Sequence, residues 1–331
     1  MRIAIATDAW HPQINGVVTT LSRTAAEVER LGHEVLMITP TEFLTIACPT
    51  YPEIRLALKP RRLVRKMLKE FSPDAVHIAT EGPIGVATRA YCLRVGHTFT
   101  TSLHTRFPEY VRLRVPVPLD WGYRYLRWFH GPARRTMVSV PSLCEELQKR
   151  GLRHLVVWSR GVDLKVFQPR DRHFLEGERP LFMYMGRVAR EKRVEEFLRL
   201  DLPGCKYVVG GGPDLESLKG RYRAARFTGY KVGEDLARHV AAADVMVFPS
   251  KTDTFGLTIL EAMACGVPVA AYPVQGPKDL IRNGYNGYTD KDLQIATLEC
   301  LKVRSTDCRE FATRYSWRAC TEQFLNHLCA S

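Results

Sequence analysis

No apolar run in the chain is long enough to cross a bilayer, and no signal-peptide pattern precedes the first strand. The expectation is a cytoplasmic protein. Nine cysteines are scattered without one C-x-x-C pair, which argues against a zinc site or a disulfide framework and suits reduced thiols. Gly-x-Gly-x-x-Gly is missing, so a dinucleotide site finds no support. Nor does any cluster have metal-ligand spacing. Asp290-Lys291-Asp292 has the look of an Asp-x-Asp metal pair, but it stands at a helix start, where acids are favoured anyway. No convincing protein nucleophile is found. Acids are the scarce charge: 35 Asp and Glu face 48 Lys and Arg, a net charge of +13. Residues 1 to 160 hold 23 of those bases and 13 of the acids, so the first half is the basic half. That asymmetry suits an anionic partner, membrane lipid or nucleic acid.

What is present fits two domains: 331 residues, of which 45% are apolar. Arg2 to Thr7 reads as a strand, a loop runs from Asp8 to Gly16, a helix reaches about Leu31, and Glu34 to Thr39 is the next strand. This βαβ opening is Rossmann-like. Strand Phe99 to Leu103 delivers His104 at its carboxyl end, where open α/β sheets bind ligands. A polar run from Pro169 to Arg179 divides the chain into 1–168 and 169–313. In the second part, strand Leu181 to Met185 leads into Gly186-Arg187 and on to Lys192, two cations spaced to converge on one diphosphate. Gly210-Gly211-Gly212 is a turn with room for close ligand approach, and Tyr230 and Lys231 end a short strand.

The stretch Pro249 to Pro268 organises the rest. Strand Val245 to Phe248 feeds a polar loop and then a helical segment from Leu257 to Ala264, closed by Gly266 and Pro268. Backbone N–H groups at Phe255, Gly256 and Leu257, with the helix dipole, favour a diphosphate. Asp253 and Glu261 bracket the helix start. Carboxylates cannot grip phosphate, so their partners are hydroxyls; phosphate and hydroxyl sites together describe a sugar nucleotide.

Asp253, seven residues, Glu261 and the following Ala-Met-Ala-Cys-Gly-Val-Pro-Val resemble the Glu-x7-Glu signature of glycosyltransferase family 4, with Asp in the first position. Gly186 to Lys192, the His104-Thr105 segment, Gly161-Val162-Asp163 and Asn283 to Gly287 (a closing hairpin in the family) add to the resemblance, which spans nearly the whole chain. It implies an α/β protein of the GT-B fold, two Rossmann-like α/β/α domains facing each other across a cleft, with a final helix at about 314–331 returning to the first domain. It further implies a retaining, metal-independent enzyme without a cofactor beyond its nucleotide-sugar donor. His104 would contact the donor sugar, Arg187 and Lys192 would neutralise the leaving diphosphate, and Gly16 would lie against the diphosphate. Tyr230 and Lys231 would meet the base.

Arg61 to Phe71 reads as an amphipathic helix. Arg61, Arg62, Arg65, Lys66 and Lys69 fall within about 140° of one another, with Leu63, Val64, Met67, Leu68 and Phe71 opposite. A second helix is expected from Asp120 to about Arg135 after the break at Val115–Leu119; Trp121, Tyr125, Trp128 and Phe129 share one side, Arg124, Arg127 and Arg134 another. Core filling and a membrane interface both account for those aromatics. Segments such as Tyr51 to Arg55, Thr80 to Pro83 and His104 to Tyr110 are similar to bacterial glycolipid synthases, which implies transfer from a UDP-sugar to diacylglycerol at the inner face of the plasma membrane. A mannosyltransferase using GDP-mannose is the near alternative. A nucleic-acid-binding protein and a sugar-nucleotide epimerase are the rivals from other classes; the first leaves Asp253, Glu261, Arg187 and Lys192 without purpose.

Overall fold

The computed structural model describes residues 1–13, 15–48, 51–112 and 117–329, with the side chains of 51–53, 110 and 111 outside that description. Val115 and Pro116 of the expected break at Val115–Leu119 therefore lie outside the described residues, as does the end of the 314–331 segment. The chain divides into two compact units, Met1–Ser159 with Trp317–Ser331, and Arg160–Ser316.

The first unit holds β1 (Arg2–Ala6), β2 (Glu34–Ile38), β3 (Thr45–Cys48), β4 (Tyr51–Ala57), β5 (Ala75–Ile78), β6 (Phe99–Leu103), β7 (Arg135–Val138) and β8 (Leu155–Val157). Its helices are α1 (Gly16–Arg30), α2 (Arg61–Phe71), α3 (Pro83–Val95), α4 (Phe107–Arg112), α5 (Leu119–His130) and α6 (Pro141–Lys149). Six strands form a parallel sheet in the order β2-β1-β5-β6-β7-β8. Apolar strands such as Ile3-Ala4-Ile5-Ala6 are buried on both faces, as a parallel sheet sandwiched by helices requires. Alternation splits them: Ala4 and Ala6 join Val64, Leu68, Phe99 and Phe129 in one layer, while Ile3 and Ile5 join Leu21, Val28 and Trp158 in the other. The ribbon β3–β4 is antiparallel and separate; its short alternation between loops gave the sequence reading no strand there.

The second unit holds β9 (Leu181–Met185), β10 (Cys205–Val209), β11 (Arg226–Gly229), β12 (Val245–Phe248), β13 (Val269–Ala271) and β14 (Gly287–Thr289). With them come α7 (Val194–Arg199), α8 (Leu215–Arg221), α9 (Gly233–Ala241), α10 (Leu257–Ala264), α11 (Pro277–Leu280), α12 (Leu293–Cys300) and α13 (Ser305–Thr313). The sheet is again parallel, β11-β10-β9-β12-β13-β14. Finally α14 (Trp317–His327) packs in the first unit, where Phe324 is fully buried beside Trp158 with ring centroids 4.9 Å apart. In each sheet the strand order reverses once, between β1 and β5 and between β9 and β12, and the carboxyl ends at such a reversal are where open α/β sheets take ligands.

The two compact units part at Arg160, nine residues before the expected 169: Val162 N–H donates to Tyr315 O at 2.7 Å, and Arg309 donates to the carbonyls of Leu164 and Phe167, so residues 160–168 pack with the second unit. Two expectations, the extent of α5 and the closing hairpin, are corrected. Helix α5 ends at His130, with Gly131 as its cap, and Arg135 already opens β7. Asn283 to Gly287 is a turn feeding a parallel strand, its shape fixed by Asn283 Oδ1 accepting from Thr289 N–H, and not a hairpin. Asp290 and Asp292 stand at the start of α12, as read from the sequence: Asp292 caps the helix by accepting from Gln294 N–H, and Asp290 accepts from Asp292 N–H. Among the described residues no group of three or more potential ligands could hold a metal.

Candidate active site

In the second unit the loops after β9 and β12 bring the expected cations and acids to the reversal point. Gly186 ends β9 with φ 144°, and a side chain on Gly210 would lie 1.8 Å from its carbonyl oxygen. Backbone bonds then lace this loop to the next one, with Val188 N–H donating to Gly211 O at 2.8 Å and Asp214 N–H to Val188 O at 3.1 Å. Gly212 is explained by the same packing: a Cβ there would stand 2.2 Å from Val188 O. Its small size serves loop on loop contact. Beneath, the buried Tyr184 hydroxyl donates to Arg187 O at 2.6 Å and so fixes the backbone that carries Arg187. Burial pushes the Tyr184 phenol well above its usual range, aided by the charges of Asp253 and Glu191.

Lys192 closes a short 3-10 turn, Arg190–Lys192, and its ammonium is ion-paired with Asp253 Oδ1. The sequence reading gave Lys192 to phosphate and Asp253 to a hydroxyl; here they neutralise each other directly. The other Asp253 oxygen, Oδ2, is buried with no hydrogen-bond partner among the described residues. A second brace joins the same two loops. Arg193, in the left-handed region with φ 55°, pairs with Glu196; Tyr272 OH donates to Glu196 Oε2 at 2.7 Å; Lys251 Nζ lies 3.8 Å from the centre of the Tyr272 ring. Tyr184, Glu196, Lys251 and Tyr272 were not singled out from sequence. They are ordinary residue types whose meaning comes from contacts across strands.

Helix α10 begins at Leu257, so the amides of Leu257 and Thr258 precede any acceptor within the helix, and no side chain caps them. Gly256 is the cap residue, with φ 87°, and Phe255 is buried. Glu261 sits one turn further on, half-buried, with no protein hydrogen bond to its carboxyl group among the described residues. Burial pushes that carboxyl up to about 7. Its negative charge in turn helps raise the half-exposed Tyr230 phenol, although burial is the larger cause there. Tyr230 Cβ borders Gly211, so the two base-contacting candidates flank the glycine turn, but Lys231 is already paired with Asp235 at 3.0 Å.

A separate cavity of about 250 Å³ lies at the opposite, amino ends of these strands, lined by Arg170, Arg172, Asp244, Cys265 and Ser305 among others. There the C-termini of α9, α10 and α12 converge, and their carbonyl ends are answered by arginines: Arg179 donates to Ala242 O at 3.1 Å and Arg309 to Ala264 O at 2.7 Å. The arginines that line the cavity are paired within the unit, Arg170 with Glu234 and Arg172 with Asp244.

In the first unit, His104 follows β6, buried, with Nε2 2.8 Å from Ser102 Oγ. Asp8, after β1, was missed by sequence reasoning. It accepts from the Ile84 and Gly85 amides and from the Thr80 hydroxyl, capping α3 where Gly82 has no side chain to do so. Burial raises its carboxyl to about 6 despite those bonds. Gly16 opens α1, and Asn15 Oδ1 accepts from the Val17 and Val18 amides at 3.0 Å each, so this helix start is capped by its own chain.

On α2, Arg61, Arg62, Arg65, Lys66 and Lys69 are all exposed, while Val64 and Leu68 are buried. The aromatics of α5 divide between the two readings. Phe129 is in the core and Tyr125 packs on it, its hydroxyl donating to Glu81 O; Trp121 and Trp128 are exposed, 59% and 48%. Arg124 is exposed, whereas Arg127 donates to Arg150 O at 2.9 Å and serves the end of α6.

Comparison with known proteins follows this geometry. The model described as Glycosyltransferase Family 4 matches residues 14–166, and that described as Glycosyl transferases group 1 matches 167–298. The GDP-mannose-dependent alpha-mannosyltransferase of Mycolicibacterium smegmatis is 32% identical over 85% of this chain and 82% of its own. The alpha-monoglucosyldiacylglycerol synthase of Streptococcus pneumoniae is 26% identical over 94% of this chain and 80% of its own. Among solved structures, Anabaena HepE in complex with UDP superposes with a TM-score of 0.73 over 98% of this chain and 99% of its own, at 15% identity. A matching pair of cations and acids at one strand-order reversal, on this pair of sheets and with these relatives, has one reading: the chain belongs to glycosyltransferase family 4 and has the GT-B fold.

Proposed function

We propose that this glycosyltransferase moves a hexose or hexuronic acid from a nucleotide sugar, a UDP-sugar by preference, to a membrane lipid such as diacylglycerol. Transfer retains the anomeric configuration and needs no metal. The observation that carries the donor half is the meeting of Lys192 and Asp253 beside the uncapped start of α10, with Glu261 one turn along. In the reaction the leaving diphosphate gathers negative charge. Arg187, Lys192 and the first amides of α10 stabilise that charge where it develops. Asp253 Oδ2 and Glu261 accept hydrogen bonds from donor hydroxyls, and His104 contacts the sugar. The departing phosphate oxygen helps take the acceptor proton, so no protein nucleophile is used. Tyr230 lies against the base.

Support for a lipid acceptor comes from the cationic face of α2 and the exposed Trp121 and Trp128, beside the relative named for diacylglycerol glucosylation. The peripheral attachment this implies needs no spanning helix, and among the described residues none is long and apolar enough to be one. A second reading, a mannosyltransferase using GDP-mannose, rests on the relative named for that donor. The test is purified protein with a panel of UDP- and GDP-sugars and diacylglycerol vesicles. Lys192→Ala and Glu261→Ala are each expected to lower turnover at least ~100-fold with the fold intact. Undiminished turnover in either folded variant would remove the assignment.

A further inference from the structure

In the reaction proposed above Lys192 faces the diphosphate and Asp253 the sugar, yet the structure joins the two in one ion pair. They come from different loops of the second unit, Lys192 from the turn after β9 and Asp253 from the segment between β12 and α10. Both side chains are mostly covered, 24% and 18% exposed, so the pair lacks the solvent that makes surface ion pairs weak. Asp253 Oδ1 takes the ammonium. Oδ2 is buried with no hydrogen-bond partner among the described residues, an unmade bond that a ligand hydroxyl can supply. The loops are also tied independently of this pair. Tyr184 OH donates to Arg187 O at 2.6 Å, and Tyr272 OH donates to Glu196 Oε2 at 2.7 Å. An exchange of partners at Lys192 therefore needs only side-chain rotation.

A diphosphate beside the first amides of α10 competes with Asp253 for the same ammonium. Two anions on one lysine repel each other strongly in a partly buried place. A bare nucleoside diphosphate that takes Lys192 thus leaves Asp253 an uncompensated charge, with Oδ2 still unbonded. A nucleotide sugar takes the same lysine but brings hydroxyls that can donate to both Asp253 oxygens. The first of these ligands is what remains after transfer; the second is the donor.

We propose that Asp253 is a specificity-determining residue. By holding Lys192 until sugar hydroxyls take its place, it makes the site favour the intact nucleotide sugar over the nucleoside diphosphate left behind. This rests on the reading of Lys192 as a diphosphate contact and Asp253 as a sugar contact. Discrimination of this kind comes from the penalty against the wrong ligand as much as from contacts to the right one.

The test is a double-mutant cycle read by titration calorimetry on the full chain, with UDP, GDP, UDP-glucose and GDP-mannose as probes. The proteins are the wild type, Lys192→Ala, Asp253→Asn and the double variant. Asp253→Asn should bind the nucleoside diphosphate about fivefold or more tightly than the wild type, and in the Lys192→Ala background the same change should gain at least about fivefold less. Repulsion without exchange gives equal gains in both backgrounds, and other contacts of Lys192 enter both alike. Equal gains therefore overturn the proposal. The ratio of nucleotide-sugar to nucleoside-diphosphate affinity should fall about fivefold or more in Asp253→Asn. An unchanged ratio overturns the proposal as well. Lys192→Met, which keeps most of the side chain's length, replaces Lys192→Ala if that variant does not fold by circular dichroism. If the wild type binds none of the four probes, the donor reading itself fails, and the proposal goes with it.

Discussion

At the scale of single residues, Glu261 makes the donor site sensitive to pH. Its carboxyl is held at about 7, so below that pH it is mostly protonated in the free protein. The form that accepts two hydroxyl hydrogen bonds is the carboxylate, and bound hydroxyls lower its pKa. Donor affinity should therefore rise with pH through about 7, up to tenfold per pH unit below that point, and level off above it. Titration calorimetry at pH 6 to 8 should show this slope in the wild type and none in Glu261→Gln. Asp8 predicts the pH response of stability. Its folded carboxyl is held at about 6, above the unfolded value near 4, so the folded state binds the extra proton between those values. Stability should fall as pH rises from about 4 to above 6, by an amount on the order of 2–3 kcal/mol from this group, and urea midpoints for Asp8→Asn should fall by correspondingly less than those of the wild type, the remainder coming from Glu261. Arg187, Lys192, Asp253 and Glu261 were singled out in the sequence chiefly because their segments resemble the motifs of glycosyltransferase family 4. The ion pair between Lys192 and Asp253 was not, nor was the capping of α3 by Asp8. Both depend on which strands are neighbours, and no local spacing encodes that.

At the scale of elements, the start of α10 depends on one glycine. Gly256 has φ 87°, and a Cβ there would come 2.9 Å from Ile259 Cδ1 and 3.1 Å from Phe248 Cζ. Gly256→Ala is expected to cost about 1–2 kcal/mol of stability from the left-handed conformation alone. It should also weaken nucleoside diphosphate binding, measured by calorimetry, because the first amides of α10 would be turned. Helix α2 was read from sequence with its observed bounds, Arg61 to Phe71, since a strong two-sided pattern identifies a helix without help from tertiary contacts. Helix α5 was harder, because aromatic spacing does not say which rings are covered. If α2 holds the protein to an anionic leaflet, replacing Arg62, Arg65, Lys66 and Lys69 with alanine should remove roughly 1 kcal/mol each. Binding to anionic vesicles in co-sedimentation should then drop by on the order of 10³. Equal wild-type binding to neutral and anionic vesicles would sink that attachment.

At the scale of the whole molecule, the second unit is an insertion in the first. Its ends are side by side, joined by the bridge between Val162 and Ser316 and the bond from Val162 N–H to Tyr315 O. A fragment spanning residues 160–316 is expected to fold alone and to bind a nucleoside diphosphate with full-length affinity; a fragment that stays unfolded by circular dichroism would refute this. The first unit is in the opposite position. Its core layer of Ile3, Ile5, Leu21 and Trp158 is covered by Cys320 and Phe324 of α14, supplied by the last stretch of the chain. During synthesis the unit begun first is thus completed last. Its apolar sheet face stays uncovered until α14 is made, after the unit encoded in between is complete.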